Sequence, residues 1–192
     1  MTGIVLAGGR SSRFGADKLA TIYRGKPLLY HAIERLSKVC DPVVVVLAPG
    51  DDASMLPEEL RIVHDRLEGA GPLAGLLAGM ETVTSELALV VGGDMPELVP
   101  AVLTDMVKGL SLSDAGAVAL HDGDRVRPLP VALRVDRAQE IGRELFAVGE
   151  RSLRALLDVL DVRVIDADVW TAIDPDRGSL FDVDVPGDLP PA

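Results

Sequence analysis

The sequence predicts an α/β fold: a single Rossmann-like domain over residues 1–192, with a mostly parallel sheet and helices on both faces. Three observations lead there. Short apolar runs rich in valine recur along the chain, at Ile4–Leu6, Val43–Leu47 and Leu87–Val91. Such unbroken runs mark strands covered on both faces rather than strands with one wet side. Stretches with apolar residues at helical spacing separate them, and strands alternating with helices build a parallel sheet. The chain shows no internal repeat, low-complexity tract or linker.

Composition narrows the class. A chain of 192 residues with 48% hydrophobic residues can bury one sizeable core and is short for two. Aromatics make up only 3%, so Val, Leu, Ile and Ala must fill that core. The formal net charge of −11 argues against nucleic acid or a membrane surface as a partner, since a polyanion would be repelled. A nucleotide is still admissible, because local cations and a divalent metal can neutralise a triphosphate. The single cysteine, Cys40, excludes an intrachain disulfide. The sequence shows no basic-then-apolar leader and no run of eighteen apolar residues, so the expectation is a soluble, cytoplasmic protein.

Each element then follows in order. Ile4-Val5-Leu6 is the first strand, stopped by Gly8-Gly9 and Ser11-Ser12. Pro27 to Val39 is a helix, with Leu28, Leu29, Ala32, Ile33, Leu36 and Val39 on one face and Pro27 in its first turn. His31 falls off that stripe and is assigned no role. Val43 to Leu47 is a strand ended by Pro49-Gly50-Asp51-Asp52, residues 53–60 form a short helix, and Arg61 to Asp65 is a short strand running into a loop. Pro72 starts a helix carrying Leu73, Leu76, Leu77, Met80 and Val83. Leu87 to Val91 is a strand and Pro100 to Leu110 an amphipathic helix. Ala115 to Leu120 and Arg125 to Val135 form a hairpin around Asp122-Gly123, and Pro128 and Pro130 demote the second strand to an edge or an irregular one. Helices follow over Asp136–Phe146 and from Leu153, the latter capped by Ser152. Val162–Ile165 and Ser179–Val185 are the last strands.

Chemistry is concentrated at a few of the junctions. After the first strand come two glycines, then Arg10, Arg13 and Lys18, in a chain that is otherwise acidic. Glycine lets backbone N–H groups approach a ligand, and cations beyond it suit a phosphate. The segment matches neither the Walker A loop nor the dinucleotide fingerprint, because Lys18 lies three residues past Gly15 and Gly8 and Gly9 are adjacent. An isolated Gly-Gly is equally a plain strand-to-loop turn. Gly92-Gly93-Asp94-Met95-Pro96 closes a central strand, placing a carboxylate at the edge where open parallel sheets bind ligands. Mg²⁺ favours one or two carboxylates and completes its shell with phosphate oxygens and water, so Asp94 is a metal candidate. Asp65 also sits at a strand end, but on spacing alone it is a turn aspartate. Arg151 lies just outside a helix N-terminus, where an anion is welcome; a solvated loop arginine explains it equally. Asp182 and Asp184 share a face if their segment is extended, which is costly without a cation or solvent between them.

Leu6-Ala7-Gly8-Gly9, Arg13-Phe14-Gly15 and Lys18 resemble the opening of the nucleotidyltransferases that activate small phosphorylated molecules with an NTP. The Gly-Gly form is most similar to the molybdenum cofactor guanylyltransferases, whose cytidylyltransferase relatives usually carry Ala-Gly. Asp65 followed by Gly71-Pro72-Leu73-Ala74-Gly75 resembles the same family and favours GTP over CTP. The resemblance implies a loop, Leu6 to Gly9, wrapped round the triphosphate, with Lys18 and Arg13 holding it. It implies a nucleotide contact from Asp65 and an Mg²⁺ ligand in Asp94, with Asp184 as a second. It points Arg151, in the Gly149-Glu150-Arg151 string, and Asp182 toward a pterin. The implied reaction moves GMP from GTP to the terminal phosphate of molybdenum-bearing molybdopterin, with transient contacts to cofactor-synthesis proteins or molybdoenzyme chaperones. Three departures stand out. The family's nucleotide-contacting asparagine has no counterpart in Val45-Val46-Leu47-Ala48, its Asn-x-Asn-Thr-Pro pattern is replaced by Asp182-Val183-Asp184-Val185-Pro186, and Pro186-Gly187-Asp188 stands where a longer last helix is usual. A cytidylyltransferase, another small-molecule nucleotidyltransferase and a silent nucleotide-binding partner are the alternatives.

Overall fold

A computed structural model of the chain describes residues 1–8, 18–54, 56–67 and 69–189. The strands are β1 (Thr2–Leu6), β2 (Ile22–Tyr23), β3 (Lys26–Pro27), β4 (Val43–Leu47), β5 (Arg61–His64), β6 (Leu87–Gly92), β7 (Ala117–His121), β8 (Val126–Arg134) and β9 (Val162–Ile165). The helices are α1 (Leu28–Leu36), α2 (Pro72–Met80), α3 (Pro100–Ser111), α4 (Val135–Ala147), α5 (Leu153–Val159) and α6 (Ala167–Trp170). Seven strands form one sheet in the order β5-β4-β1-β6-β8-β7-β9, and β2 and β3 make a separate small hairpin. β5, β4, β1 and β6 run parallel to one another, β8 is antiparallel to both its neighbours, and β9 is parallel to β7.

The period-2 alternation of the strands sorts their side chains to two cores. Val5, Val45, Leu89 and Val91 face α1 and α3, meeting Leu36, Leu103 and Met106. Ile4, Val44, Val46 and Val90 face α2, α4 and α5, meeting Leu73, Leu76, Met80 and Leu156. Full burial of a side chain of this kind is worth about 1.5–3 kcal/mol, so the two cores hold the sheet from both sides. Small residues set the closeness of one helix. A Cβ at Gly79 would lie 2.9 Å from Val46 Cγ2 and 3.1 Å from Ile4 Cγ2, so α2 rests directly on β1 and β4. Cys40 is buried beneath β1, and that burial pushes its thiol up to about 12, which removes thiolate chemistry at neutral pH.

Three expectations need correction and a fourth is met in part. The described residues of the 53–60 stretch form turns and bends, not a helix. Pro27 precedes α1 with an extended backbone rather than sitting in its first turn, and its ring suits the close of the β2–β3 hairpin. The expectation for β8, with its Pro128 and Pro130, is met in its second form: it is an irregular strand, though interior and not at an edge. Its pairing with β6 covers only Val131–Arg134, and its register against β7 shifts between Ala119 and His121. The prolines fall in this loosened stretch, where no ladder donor is required of them. Residues 179–185 do not form a strand: Gly178–Leu180 is a short 3-10 turn and the rest is irregular.

The chain leaves β1 toward β4 and β5, then returns across to β6 on the other side. The connections therefore reverse direction between β1 and β6, and a crevice opens at the carboxyl ends of such a pair.

Candidate active site

β1 and β6 deliver their carboxyl ends side by side. Leu6 is in register with Gly92, and the Gly93 N–H donates to the Leu6 carbonyl at 2.9 Å. Asp94 thus starts beside the end of the first strand. The 181–185 segment approaches from the other side, where the Val183 N–H donates to the Asp94 carbonyl at 3.0 Å and the Val183 side chain is buried with Tyr23 and Leu28. Its approach is fixed upstream. The buried Asp174 accepts the N–H groups of Gly178 (3.1 Å) and Ser179 (2.7 Å), and the Ser179 hydroxyl accepts the Val99 N–H at 3.1 Å.

Lys18 sits where these elements meet. Its ammonium is 2.9 Å from Asp94 Oδ2 and 3.4 Å from Asp184 Oδ1, and the residue is only 9% exposed. Burial by itself would lower the lysine's pKa. The hydrogen bond and charge of Asp94, with those of Asp184, outweigh it, and the net direction is upward. Lys18 is therefore a fixed cation at neutral pH. Asp182 stands next in line. Burial and the neighbouring Asp184 charge raise its carboxyl above the ordinary value, against the opposing pull of Arg127. Arg127 bridges outward, 3.6 Å from Asp182 Oδ1 and 3.5 Å from Asp122 Oδ2. Asp122 in turn closes the β7–β8 hairpin. The backbone N–H groups of Arg125 and Asp124 hold its carboxyl down to about 2.

A cleft of about 440 Å³ opens beside this cluster, over the ends of β1, β4 and β5 and the N-terminus of α2. Leu6 and Gly8 form its inner end, and Asp51, Asp65 and the 69–72 turn its outer walls. Ala7 is buried beneath, with its N–H committed to the Val46 carbonyl at 2.8 Å. Asp65 both lines the cleft and makes the turn expected of it, accepting the Leu67 N–H at 3.1 Å. Gly71 forms the wall next to α2 with a φ of +83°. A Cβ there would lie 2.9 Å from the Arg151 carbonyl oxygen, the same oxygen that accepts the Leu73 N–H.

Lys18, Asp94 and Asp184 are thus brought together, with Asp182 adjacent, and Leu6, Gly8 and Asp65 line the neighbouring cleft. Arg151 is placed differently. Its guanidinium stacks 3.9 Å from the Phe146 ring centroid and donates to the Phe146 and Glu150 carbonyls. Gly9 and Arg13 lie outside the described residues. Sequence reasoning passed over Asp51, treating Pro49-Gly50-Asp51-Asp52 only as a strand terminator. Its place just past a strand's carboxyl end, like that of Asp65, was the available signal.

The cluster suits a divalent ion. Two carboxylates converge on one cation, the Lys18 ammonium, and among the described residues no group of three or more His, Cys, Asp or Glu could hold a metal. A two-carboxylate site leaves the other coordination positions to phosphate oxygens and water, which is how Mg²⁺ is commonly held.

Comparison with known proteins gives a consistent result. Residues 3–166 match the family model for the MobA-like NTP transferase domain. The chain is 34% identical over 195 residues to a probable molybdenum cofactor guanylyltransferase of Chloroflexus aggregans, covering 98% of this chain and 91% of the relative. It is 40% identical over 172 residues to a protein of the same description from Mycobacterium avium, covering 86% and 84%. Among solved structures it resembles molybdopterin-guanine dinucleotide biosynthesis protein A of Archaeoglobus fulgidus, with a TM-score of 0.84 and 25% identity over 98% of this chain and 94% of that one. A Mycobacterium tuberculosis protein crystallised with manganese shares the fold, with a TM-score of 0.63 and 20% identity over 93% and 97% of the two chains.

Proposed function

Because the chain belongs to the MobA-like NTP transferase domain family, we propose that it transfers GMP from GTP to the terminal phosphate of molybdenum-bearing molybdopterin, releasing pyrophosphate. The observation that carries the reading is the meeting of Lys18, Asp94 and Asp184 at the β1–β6 crevice, beside a cleft sized for a nucleoside. The description of the relatives as guanylyltransferases supports the choice of base and acceptor.

In this reading the nucleoside lies in the cleft against Asp65, and the triphosphate runs past Leu6 and Gly8 toward Lys18. Asp94 and Asp184 would hold a divalent ion, Mg²⁺, and such an ion would supply charge neutralisation for the phosphate oxygens. Lys18, with Arg13, holds the triphosphate and then the departing pyrophosphate. An oxygen of the acceptor phosphate attacks the α-phosphorus in line. One new P–O bond forms, the bond from the α-phosphorus to the β-phosphate bridging oxygen breaks, and pyrophosphate leaves with that electron pair. Little covalent work falls to the protein, which positions the partners and balances charge. Asp182 is assigned to the acceptor side; Arg151, whose carbonyl meets Gly71 in the wall of the nucleoside cleft and whose guanidinium stacks on Phe146, is not. No nucleophilic side chain is needed.

Pyrophosphate release in the presence of molybdenum-bearing molybdopterin, measured separately with GTP, CTP, ATP and UTP, tests the reading. Turnover with GTP above the others is expected. Turnover with CTP instead would make the chain a cytidylyltransferase, and none with any nucleotide would make it a silent binding partner.

A further inference from the structure

The cleft has an unusual lining. Among the described residues around it, only Asp51 and Asp65 carry polar side chains; the others offer apolar groups or backbone. Both polar groups are carboxylates, which when ionised accept hydrogen bonds and cannot donate them. Such a wall favours a ligand edge that presents donors side by side. Guanine has one, with N1–H next to the N2 amino group. Adenine, cytosine and uracil each place an acceptor beside their donor, and an acceptor facing a carboxylate is repelled.

We propose that Asp51 is a base-reading residue that accepts a hydrogen bond from the N2 amino group of the purine. The proposal rests on the GTP reading above and names the side chain that enforces it. Asp51 is held for such a task. Its N–H donates to the Ala48 carbonyl at 3.2 Å, and its Oδ2 accepts the Ala48 N–H at 3.1 Å. His64 Nε2 donates to its carbonyl at 3.0 Å, tying the turn to the end of β5. These bonds fix the carboxylate while Oδ1 lies outside them. Asp65, similarly tied through Oδ1 to the Leu67 N–H, faces the same cleft from the neighbouring strand end. Asp51 is exposed, so water competes for its hydrogen bond and the discrimination it gives is modest, about tenfold.

Calorimetric titration of the full chain with GTP and with inosine triphosphate, which lacks only the N2 amino group, tests the assignment. The unsubstituted protein should bind GTP about tenfold more tightly than inosine triphosphate. Asp51→Asn keeps an oxygen for the Ala48 N–H, and it should bring the two affinities together with that for inosine triphosphate little changed. Asp51→Ala should do the same. A GTP preference that survives both substitutions overturns the proposal while leaving the GTP reading intact. So does an equal loss for both nucleotides, which would mean a contact to ribose or a purely structural turn. An unsubstituted protein with no preference between the two nucleotides also overturns it. If the unsubstituted protein fails to bind GTP at all, the function reading falls and this proposal with it.

Discussion

Lys18 is nearly buried in a protein that carries eleven more negative than positive charges, and its two partners explain why it stays charged. Its folded pKa lies above the ordinary value of 10.5. The stability it contributes is therefore fully present below about that pH and is lost only as pH rises through the higher folded value. Asp182 has its carboxyl raised from 3.8 by burial and by Asp184, so the folded state prefers it protonated. Its favourable contribution is present in acid and is lost as pH rises from about 3.8 through the folded value. Asp182→Asn should accordingly raise the melting temperature at pH 7, with a gain that shrinks as the pH approaches 3.8. Thermal melts across pH test this. An unchanged or lower melting temperature at pH 7 would show that the Arg127 ion pair outweighs the burial. A carboxylate kept at a cost to stability is consistent with a working site.

At the scale of elements, the turn before α2 is the tightest constraint on the cleft. Gly71 combines a positive φ of +83° with the Arg151 carbonyl oxygen standing where a Cβ would need room, 2.9 Å from it. Gly71→Ala should cost about 2 kcal/mol or more, from the positive-φ penalty together with the collision. In a chain of this length that lowers the melting temperature by several degrees. An unaltered melt would mean that the loop before α5 yields easily. The same turn shows what can be read from sequence. Pro72 and the apolar spacing that follows announced α2, and the valine runs announced the central strands. Ser152 does cap α5, its side chain accepting the Arg154 N–H at 3.0 Å. The place of β8 could not be read, because Pro128 and Pro130 forbid only ladder bonds that the shifted register does not ask them to make. Nor could the path of residues 179–185, which is set by the distant Asp174, Val99 and Asp94 rather than by local propensity. In the site, the strand end pointed to Asp94 because an aspartate there has a topological meaning, whereas Asp65 on its spacing read only as a turn residue and was singled out by the family resemblance. Asp184 joins them only through tertiary contacts with Lys18 and the backbone beside Asp94.

Across the whole molecule, the sheet edge sets out the site in one line. The cleft lies over β5, β4 and β1, the paired carboxylates lie at β6, and Arg127 on β8 links Asp182 to the β7–β8 hairpin. Base, phosphates and acceptor can be laid along that edge in that order. A net charge of −11 repels a free triphosphate, so under the proposed function local cations such as Lys18 and a bound divalent ion would have to offset it. The account rests on the end of β1 and Asp94 gripping one metal-bound nucleotide between them. The most direct test is the affinity of Asp94→Ala for the Mn²⁺ complex of GTP, followed by the Mn²⁺ magnetic resonance signal and set beside the unsubstituted protein. The account predicts an intact fold by circular dichroism and an affinity lower by about a hundredfold, the size expected when a charged partner is removed from a partly buried cation site. Equal affinity in the two proteins would contradict it.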